Sequence, residues 1–183
     1  TTPDPEDPAQ RVAFGTSGHR GRSLDGAFTE AHVLAISQAL VEHRAEAGID
    51  GPMVVGYDTR FMGERMVATA VAMLRERGLE PVVSRSPVPT PVLTHAIRAQ
   101  RAAAGLMFTA SHNPPEYHGI KVFGHWGGSI SGVDVSEIED GAQRELAEAP
   151  VCEPASDFER TDFVEGYRSD LLDTIDCSAL RGS

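Results

Sequence analysis

Apolar residues occur along the chain in two patterns, short continuous runs and longer stretches with apolar positions three or four residues apart. The continuous runs predict buried strands at 12–14, 53–57, 81–83, 102–108 and 120–123. The spaced stretches predict helices at 29–48, 63–78, from about 90 onward, 134–149 and 161–172. Thr29 is a good N-cap residue for the first helix, and Gly48 ends it.

Strands that alternate with helices indicate an α/β fold. We expect a three-layer α/β/α sandwich with a mixed, mostly parallel sheet. Residues 120–123 follow 102–108 so closely that they should form an antiparallel strand, which we place at an edge of the sheet. Residues 1–10 hold three prolines and three acids without an apolar period, so we expect a disordered tail followed by one domain at 11–183.

Four loops follow predicted strands and contain Gly15, Asp58, Pro89 and Ser111. Ligands of such folds bind beyond the carboxyl ends of the strands, so we expect these loops to gather at one edge of the sheet. Residues 15–21 hold three glycines in seven positions, which suits a binding loop. A plain hairpin turn is the alternative for this segment.

Lys121 is the only lysine in the chain, beside fifteen arginines. Because the pKa of a lysine can be tuned for proton release while arginine keeps its proton, the retained lysine suggests proton transfer at this point. Ser111 lies ten residues before it. From its residue type alone, Ser111 could be an acyl nucleophile, a phosphoryl acceptor or a hydroxyl that stabilises a turn.

Hydrolase chemistry has the least support, because the chain has no G-x-S-x-G motif and the side chain of His112 diverges from that of the adjacent Ser111. A phosphoryl acceptor needs nearby cations or backbone amides, which Arg20, Arg22 and Lys121 could supply. His19, next to Arg20 in the glycine-rich segment, is a candidate contact for an anion or a sugar.

A net charge of −11 argues against a nucleic-acid partner or an anionic membrane surface. No apolar run approaches the roughly 18 to 20 residues of a membrane span, and no signal peptide opens the chain, so we expect a cytoplasmic protein. Cys152 and Cys177 are expected to be ordinary thiols. The histidines His112, His118 and His125 lack the spacing of a zinc site.

Four motifs in order resemble the N-terminal domain of the α-D-phosphohexomutases, over roughly residues 11–175. They are Gly15-Thr-Ser-Gly-His-Arg-Gly21, Gly56-Tyr-Asp-Thr-Arg60, Pro89-Thr-Pro91, and Thr109-Ala-Ser-His-Asn-Pro-Pro115 followed by Gly119-Ile-Lys121. The first motif resembles bacterial phosphoglucomutases more than the phosphoglucosamine or phosphomannomutase branches. The resemblance therefore favours glucose as the sugar.

The resemblance implies that Ser111 is a phosphoserine that converts glucose 1-phosphate into glucose 6-phosphate through bound glucose 1,6-bisphosphate. It implies that Arg20 stabilises the phosphoryl group in transfer and that Lys121 acts in proton transfer. It also implies that Mg²⁺ binds through the phosphate of Ser111; the sequence has no local ladder of carboxylates to complete such a site. The remaining expected site residues are His112 and Asn113, which shape the loop, and Thr16, Ser17 and His19, which bind substrate or phosphate together with Arg20, Asn113 and Lys121.

Enzymes of this family have four domains, and the resemblance covers only the first. Their magnesium loop, sugar-recognition loop and distal phosphate site lie in the other three. We therefore expect the isolated chain to be inactive and its partners to be a hexose phosphate and the remaining domains of the same polypeptide. Two alternatives stay open: a non-catalytic module that binds sugar phosphates, and a phosphomannomutase-type mutase.

Overall fold

A computed structural model describes residues 2–15 and 18–175. The strands are β1 (Gly18–Arg22), β2 (Met53–Tyr57), β3 (Val82–Ser84), β4 (Ala104–Phe108), β5 (Tyr117–Gly124) and β6 (Arg160–Thr161). The α-helices are α1 (Glu30–Glu46), α2 (Gly63–Glu76), α3 (Thr90–Ala99), α4 (Val133–Ala147) and α5 (Val164–Thr174), and a 3₁₀ turn covers Ser23–Asp25. Within the described ranges, no helix has both the length and the apolar character needed to cross a membrane.

All six strands form one sheet in the order β1-β5-β4-β2-β3-β6. β2 pairs in parallel with β3 and β4, and β3 pairs in parallel with β6. β5 is antiparallel to both β4 and β1, so β1 runs in the same direction as the parallel strands. The mixed, mostly parallel sheet is confirmed. The edge position predicted for the antiparallel strand was wrong, because β1 adds one more strand beyond it.

Helices cover both faces of the sheet, which confirms the three-layer sandwich. α1, α2 and α4 lie over one face, where their apolar residues share a core with Leu106, Phe108, Ile120 and Val122. α3 and the start of α5 lie over the other face and pack around Met107 and Phe123. Residues that alternate along β4 and β5 thus enter opposite cores, as the pleat of a strand requires. We call these the α1 face and the α3 face.

β1 contains residues 18–21 of the glycine-rich segment. The N–H of Gly15 donates to the carbonyl of Gly18 (3.1 Å), and Phe14 forms an antiparallel β-bridge with His19, contacts that agree with the hairpin alternative. β1 begins at Gly18, beside Lys121. A Cβ at Gly18 would lie 2.1 Å from the carbonyl oxygen of Ile120, which explains the glycine. Gly15 therefore precedes β1, and of the four loops expected to follow strands, those of Asp58, Pro89 and Ser111 follow the carboxyl ends of described strands. Thr16 and Ser17, like Cys177, lie outside the described residues.

Residues 2–10 form a series of turns against α4, where the sequence predicts a disordered tail. The side chain of Gln143 donates to the carbonyl of Pro5 (3.1 Å) and accepts a hydrogen bond from the N–H of Val12 (3.0 Å). These two bonds connect the start of the chain to the helix layer on the α1 face. Polar contacts of this kind leave no apolar period in the sequence, so the pattern gave no sign of them.

Candidate active site

Ser111 is exposed in the loop that joins β4 to β5, which we call the Ser111 loop (residues 109–117). Its φ angle is 58°, in the left-handed region that a residue with a side chain adopts at a cost. Its N–H donates to Oγ1 of Thr109 (2.9 Å), and the N–H of Asn113 donates to the carbonyl of Ala110 (3.1 Å). These bonds hold the strained backbone while the hydroxyl of Ser111 remains at the surface.

Arg60 holds the Ser111 loop from the neighbouring loop after β2. Its two terminal nitrogens donate to four carbonyl oxygens of the loop, at distances of 2.6 to 2.9 Å. These carbonyls belong to Ser111, Asn113, Pro114 and Tyr117. Only the planar, five-donor guanidinium can reach so many acceptors from one position, and its side chain is 14% exposed.

Asp58 orients Arg60 in turn. Its carboxylate accepts the backbone N–H of Arg60 (2.9 Å) and lies 3.5 Å from Nε of the same residue. The backbone N–H of Asp58 donates to the carbonyl of Phe108 at the end of β4 (3.0 Å). The sequence placed the Asp58 loop at this edge of the sheet but did not single out Asp58 or Arg60 as site residues. The signal that could have found them was the position of their motif directly after β2.

Arg20 and Lys121 lie together on the α3 face. Arg20 pairs with Gly119, and Lys121 pairs with Gly18, so both side chains leave the sheet on the same side. α3 covers β2 and β4 on this face, while Arg20 and Lys121 over β1 and β5 stay partly exposed. Burial lowers the pKa of Lys121, and the nearby charge of Arg20 lowers it further.

Because Gly119 has no side chain, the side chain of Arg20 can lie across it on the sheet. A Cβ at Gly119 would lie 2.8 Å from Cγ of Arg20 and 2.7 Å from the carbonyl oxygen of His19. The Nε atom of Arg20 is buried, and the chain supplies no hydrogen-bond partner to it within the described residues. Thr109 connects this region to the Ser111 loop, because its N–H donates to the carbonyl of Gly119 (2.9 Å).

His19 lies on the α1 face, opposite its neighbour Arg20. It is 2% exposed, and both of its ring nitrogens lie within hydrogen-bond distance of backbone atoms of Ala13 and Ala27. A ring enclosed in this way does not reach a ligand at the surface, where the sequence predicted a contact of His19 with an anion or a sugar. His112 is exposed next to Ser111, and Asn113 is half-buried in the same loop. The structure brings these two to Ser111, and Arg20 to Lys121.

The described residues do not form a metal site of their own. They contain no group of three or more His, Cys, Asp or Glu side chains placed to hold a metal ion. In the neighbouring loop after β2, the carboxylate of Asp58 is paired with Arg60. A magnesium ion at Ser111 would need further oxygen ligands in addition to those of the serine phosphate.

Comparisons with known proteins show which family the chain is similar to. The family model described as phosphoglucomutase/phosphomannomutase, alpha/beta/alpha domain I, matches residues 11–149. A phosphoglucomutase of Komagataeibacter xylinus is 36% identical over 99% of this chain and 36% of its own length. A phosphoglucosamine mutase of Synechococcus sp. (strain WH7803) is 38% identical over 98% of this chain and 38% of its own.

A solved structure from Thermus thermophilus, assigned as a phosphomannomutase, is 35% identical with a TM-score of 0.83. The match covers 95% of this chain and 38% of that one. The chain thus spans little more than a third of the length of the relatives that it matches. On the family match over residues 11–149 and on these likenesses, the chain belongs to the phosphoglucomutase/phosphomannomutase family, as its α/β/α domain I.

Proposed function

We propose that the chain is the phosphoserine-bearing domain of a phosphoglucomutase that interconverts glucose 1-phosphate and glucose 6-phosphate through glucose 1,6-bisphosphate. The observation that carries this proposal is the exposed Ser111, whose strained loop is held by four hydrogen bonds from Arg60. Membership of the family supports mutase chemistry. The choice of glucose rests on the glycine-rich motif at 15–21, since the relatives include both a phosphoglucomutase and phosphoglucosamine mutases.

In the first step, the phosphoryl group on Oγ of Ser111 is transferred to the C6 oxygen of glucose 1-phosphate. The bond from phosphorus to Oγ breaks, and a bond from phosphorus to O6 forms. The proton of the C6 hydroxyl leaves to a base, and Oγ gains a proton to become the serine hydroxyl. In the second step the C1 phosphate of the bisphosphate faces Ser111. The bond from phosphorus to O1 breaks and a bond from phosphorus to Oγ forms, while the proton of the serine hydroxyl leaves and O1 gains a proton. This step restores the phosphoserine and releases glucose 6-phosphate.

Lys121 is the proposed base for the sugar hydroxyl. A base must carry no proton when it accepts one, and the pKa of Lys121 is lowered first by burial and then by the charge of Arg20. Both effects increase the neutral fraction of the amine at neutral pH. This favours proton transfer at Lys121, in agreement with the retention of one lysine among fifteen arginines.

Arg20 is the proposed cation for the phosphoryl group in transfer. A phosphoserine carries about −1.5 to −2 charges at pH 7 and needs positive groups beside it. The buried Nε of Arg20 is a hydrogen-bond donor for which the described residues offer no acceptor, so it can serve an incoming phosphoryl oxygen. Bound Mg²⁺ would neutralise more of the phosphate charge, with Ser111 phosphate as its ligand from this domain.

Turnover is proposed to require more of the polypeptide than residues 1–183. The described residues provide an exposed serine in the Ser111 loop and a lysine beside an arginine on the α3 face, but no group of three or more side chains placed to hold a metal ion. Positioning and charge stabilisation account for most of the catalysis in phosphoryl transfer. We therefore expect the isolated chain to have little or no mutase activity.

Intact mass spectrometry tests the proposal in a full-length protein that contains this domain. Incubation with glucose 1,6-bisphosphate should add the mass of one phosphate, and peptide mapping should place it on Ser111. Ser111→Ala should abolish the addition, while Ser131→Ala, at an exposed serine, should not. A protein that never gains phosphate would be a non-catalytic module instead. Faster transfer from glucosamine or mannose 1,6-bisphosphate would replace glucose as the sugar.

A further inference from the structure

Two buried histidines stack on the α1 face beneath the strand that carries Arg20. His19 is 2% exposed and His32 is fully buried. Their ring centroids lie 4.8 Å apart with an interplanar angle of 11°. Phe28 stacks near both rings, with centroids 5.8 Å from His19 and 6.4 Å from His32. We call His19 and His32 the histidine pair.

The hydrogen bonds of the histidine pair define one tautomer for each ring. Nε2 of His19 lies 2.8 Å from the carbonyl of Ala27, and Nε2 of His32 lies 2.8 Å from the carbonyl of Gln10. Because a carbonyl can only accept, each Nε2 carries the hydrogen and donates it. Nδ1 accepts a backbone N–H at 3.2 Å in both rings, from Ala13 in one and Thr29 in the other. Burial lowers the pKa of both rings, that of His32 to about 4.

These four hydrogen bonds connect the segments that lead into and out of β1. Gln10 and Ala13 precede the strand, while Ala27 and Thr29 follow it. β1 is an edge strand, and its ladder partner is β5 on one side. The histidine pair therefore supplies restraints that an inner strand would receive from a second neighbour.

The restraint acts next to Arg20 in the sequence and on the opposite face of the sheet. Side chains alternate along a strand, so a ring held on the α1 face directs the next residue to the α3 face. A slip of one residue would bury Arg20 and expose His19. Arg20 also has to cross Gly119 closely, 2.8 Å from where a Cβ would be, which leaves little tolerance in the position of β1.

We propose that His19 and His32 are positioning residues that fix β1 so that Arg20 crosses Gly119 and directs its Nε–H toward the phosphoryl group on Ser111. The proposal rests on the function proposed above. The histidine pair touches neither substrate nor phosphate, and it acts through Arg20 alone. Its effect on phosphoryl transfer should therefore disappear when Arg20 is absent.

The test is the single-turnover rate of Ser111 phosphorylation by glucose 1,6-bisphosphate in a full-length protein, followed by intact mass spectrometry. His19→Phe keeps an aromatic ring in the stack and removes both backbone hydrogen bonds. We expect a rate about 10- to 100-fold lower, the range that follows from a displacement near 1 Å. His125→Phe makes the same change at an exposed histidine beyond the far end of β5 and should leave the rate unchanged.

A double-mutant cycle separates positioning from a general loss of structure. In an Arg20→Ala background, His19→Phe should produce no further loss of rate. His19→Gln, which keeps a donor for the carbonyl of Ala27, should recover most of the rate and serves as the second variant if His19→Phe does not fold. A wild-type rate in His19→Phe, or an equal loss with and without Arg20, would overturn the inference. No phosphorylation of the wild type would overturn the proposed function first and this inference with it.

Discussion

Replacing Arg60 by alanine should release the Ser111 loop without unfolding the domain. All five N–H groups of the guanidinium face acceptors of the chain: four meet loop carbonyls, and Nε–H faces Asp58. The other hydrogen bonds within this loop are local, from the N–H groups of Ser111, Asn113 and Tyr117 to nearby residues of the same loop. Ser111 also holds a φ angle of 58° against its own preference. Without Arg60, we expect Ser111 to relax toward ordinary backbone angles.

The expected cost follows from the number and exposure of these bonds. The loop carbonyls lie near the surface and regain water when Arg60 is removed, so each bond contributes at the low end of the range, about 0.5 to 1 kcal/mol. Four such bonds give a loss of about 2 to 4 kcal/mol in the free energy of unfolding. Arg60→Lys should lose most of this as well, because a single ammonium cannot reach four separated carbonyls.

Two measurements check this prediction. Hydrogen exchange should become faster at the amides of residues 110–117, and urea unfolding should report the lower stability. Arg85→Ala is the matched control: it lies in the loop after β3, is 64% exposed and forms a 3.6 Å ion pair with Asp162. That change should alter stability by less than about 0.5 kcal/mol. Unchanged exchange and stability in Arg60→Ala would refute the role assigned to Arg60.

Three further predictions concern other parts of the fold. The pKa of His32 is about 4 in the folded chain, against an ordinary value of 6.5. Between these two pH values the unfolded chain therefore binds more protons than the folded chain. The contribution of neutral His32 to stability is complete above pH 6.5 and falls as the pH is lowered toward 4. Urea unfolding across this range should show less acid sensitivity in His32→Phe than in wild type. Gly119→Ala should lower stability by about 1 to 3 kcal/mol, since its Cβ would lie 2.7 Å from the carbonyl oxygen of His19. Gly166→Ala, in α5 with its nearest contact at 3.6 Å, should not lower it. Cys152 should react slowly with iodoacetamide at pH 8 in peptide mapping, because burial and Glu76 raise its thiol pKa to about 11; rapid labelling of the folded chain would contradict this.

Apolar periodicity was sufficient to predict the helices and the central strands. α1 begins directly after Thr29, and β2 covers the predicted residues 53–57. β1 was missed because Gly18 and Gly21 have low strand propensity, and the strand exists through its pairing with β5. β6 has only two residues and no apolar run of its own. Pairing between distant segments is not visible in local pattern.

The sequence predicted which loops form the candidate site better than it predicted which residues belong to it. The sequence grouped Ser111, Lys121 and Arg20 as candidates for one site, and the structure places Arg20 beside Lys121. His19 was grouped with Arg20 because both lie in a glycine-rich segment. Because that segment forms a strand, the adjacent side chains of His19 and Arg20 lie on opposite faces of the sheet, and only one of them can belong to the site. Arg60 was not singled out because its partners are backbone carbonyls, which every residue possesses, so only the position of its motif directly after β2 pointed to it.

The open α3 face over β1 and β5 has a consequence for the timing of proton transfer. Lys121 is only partly buried on this face, and that burial already lowers the affinity of its amine for a proton, as its lowered pKa shows. Any surface that closes over this face would expel water and lower that affinity further, because desolvation is the leading cause of the shift already present. In its proposed role as a base, Lys121 would therefore have a larger neutral fraction when this face is covered than when it is open.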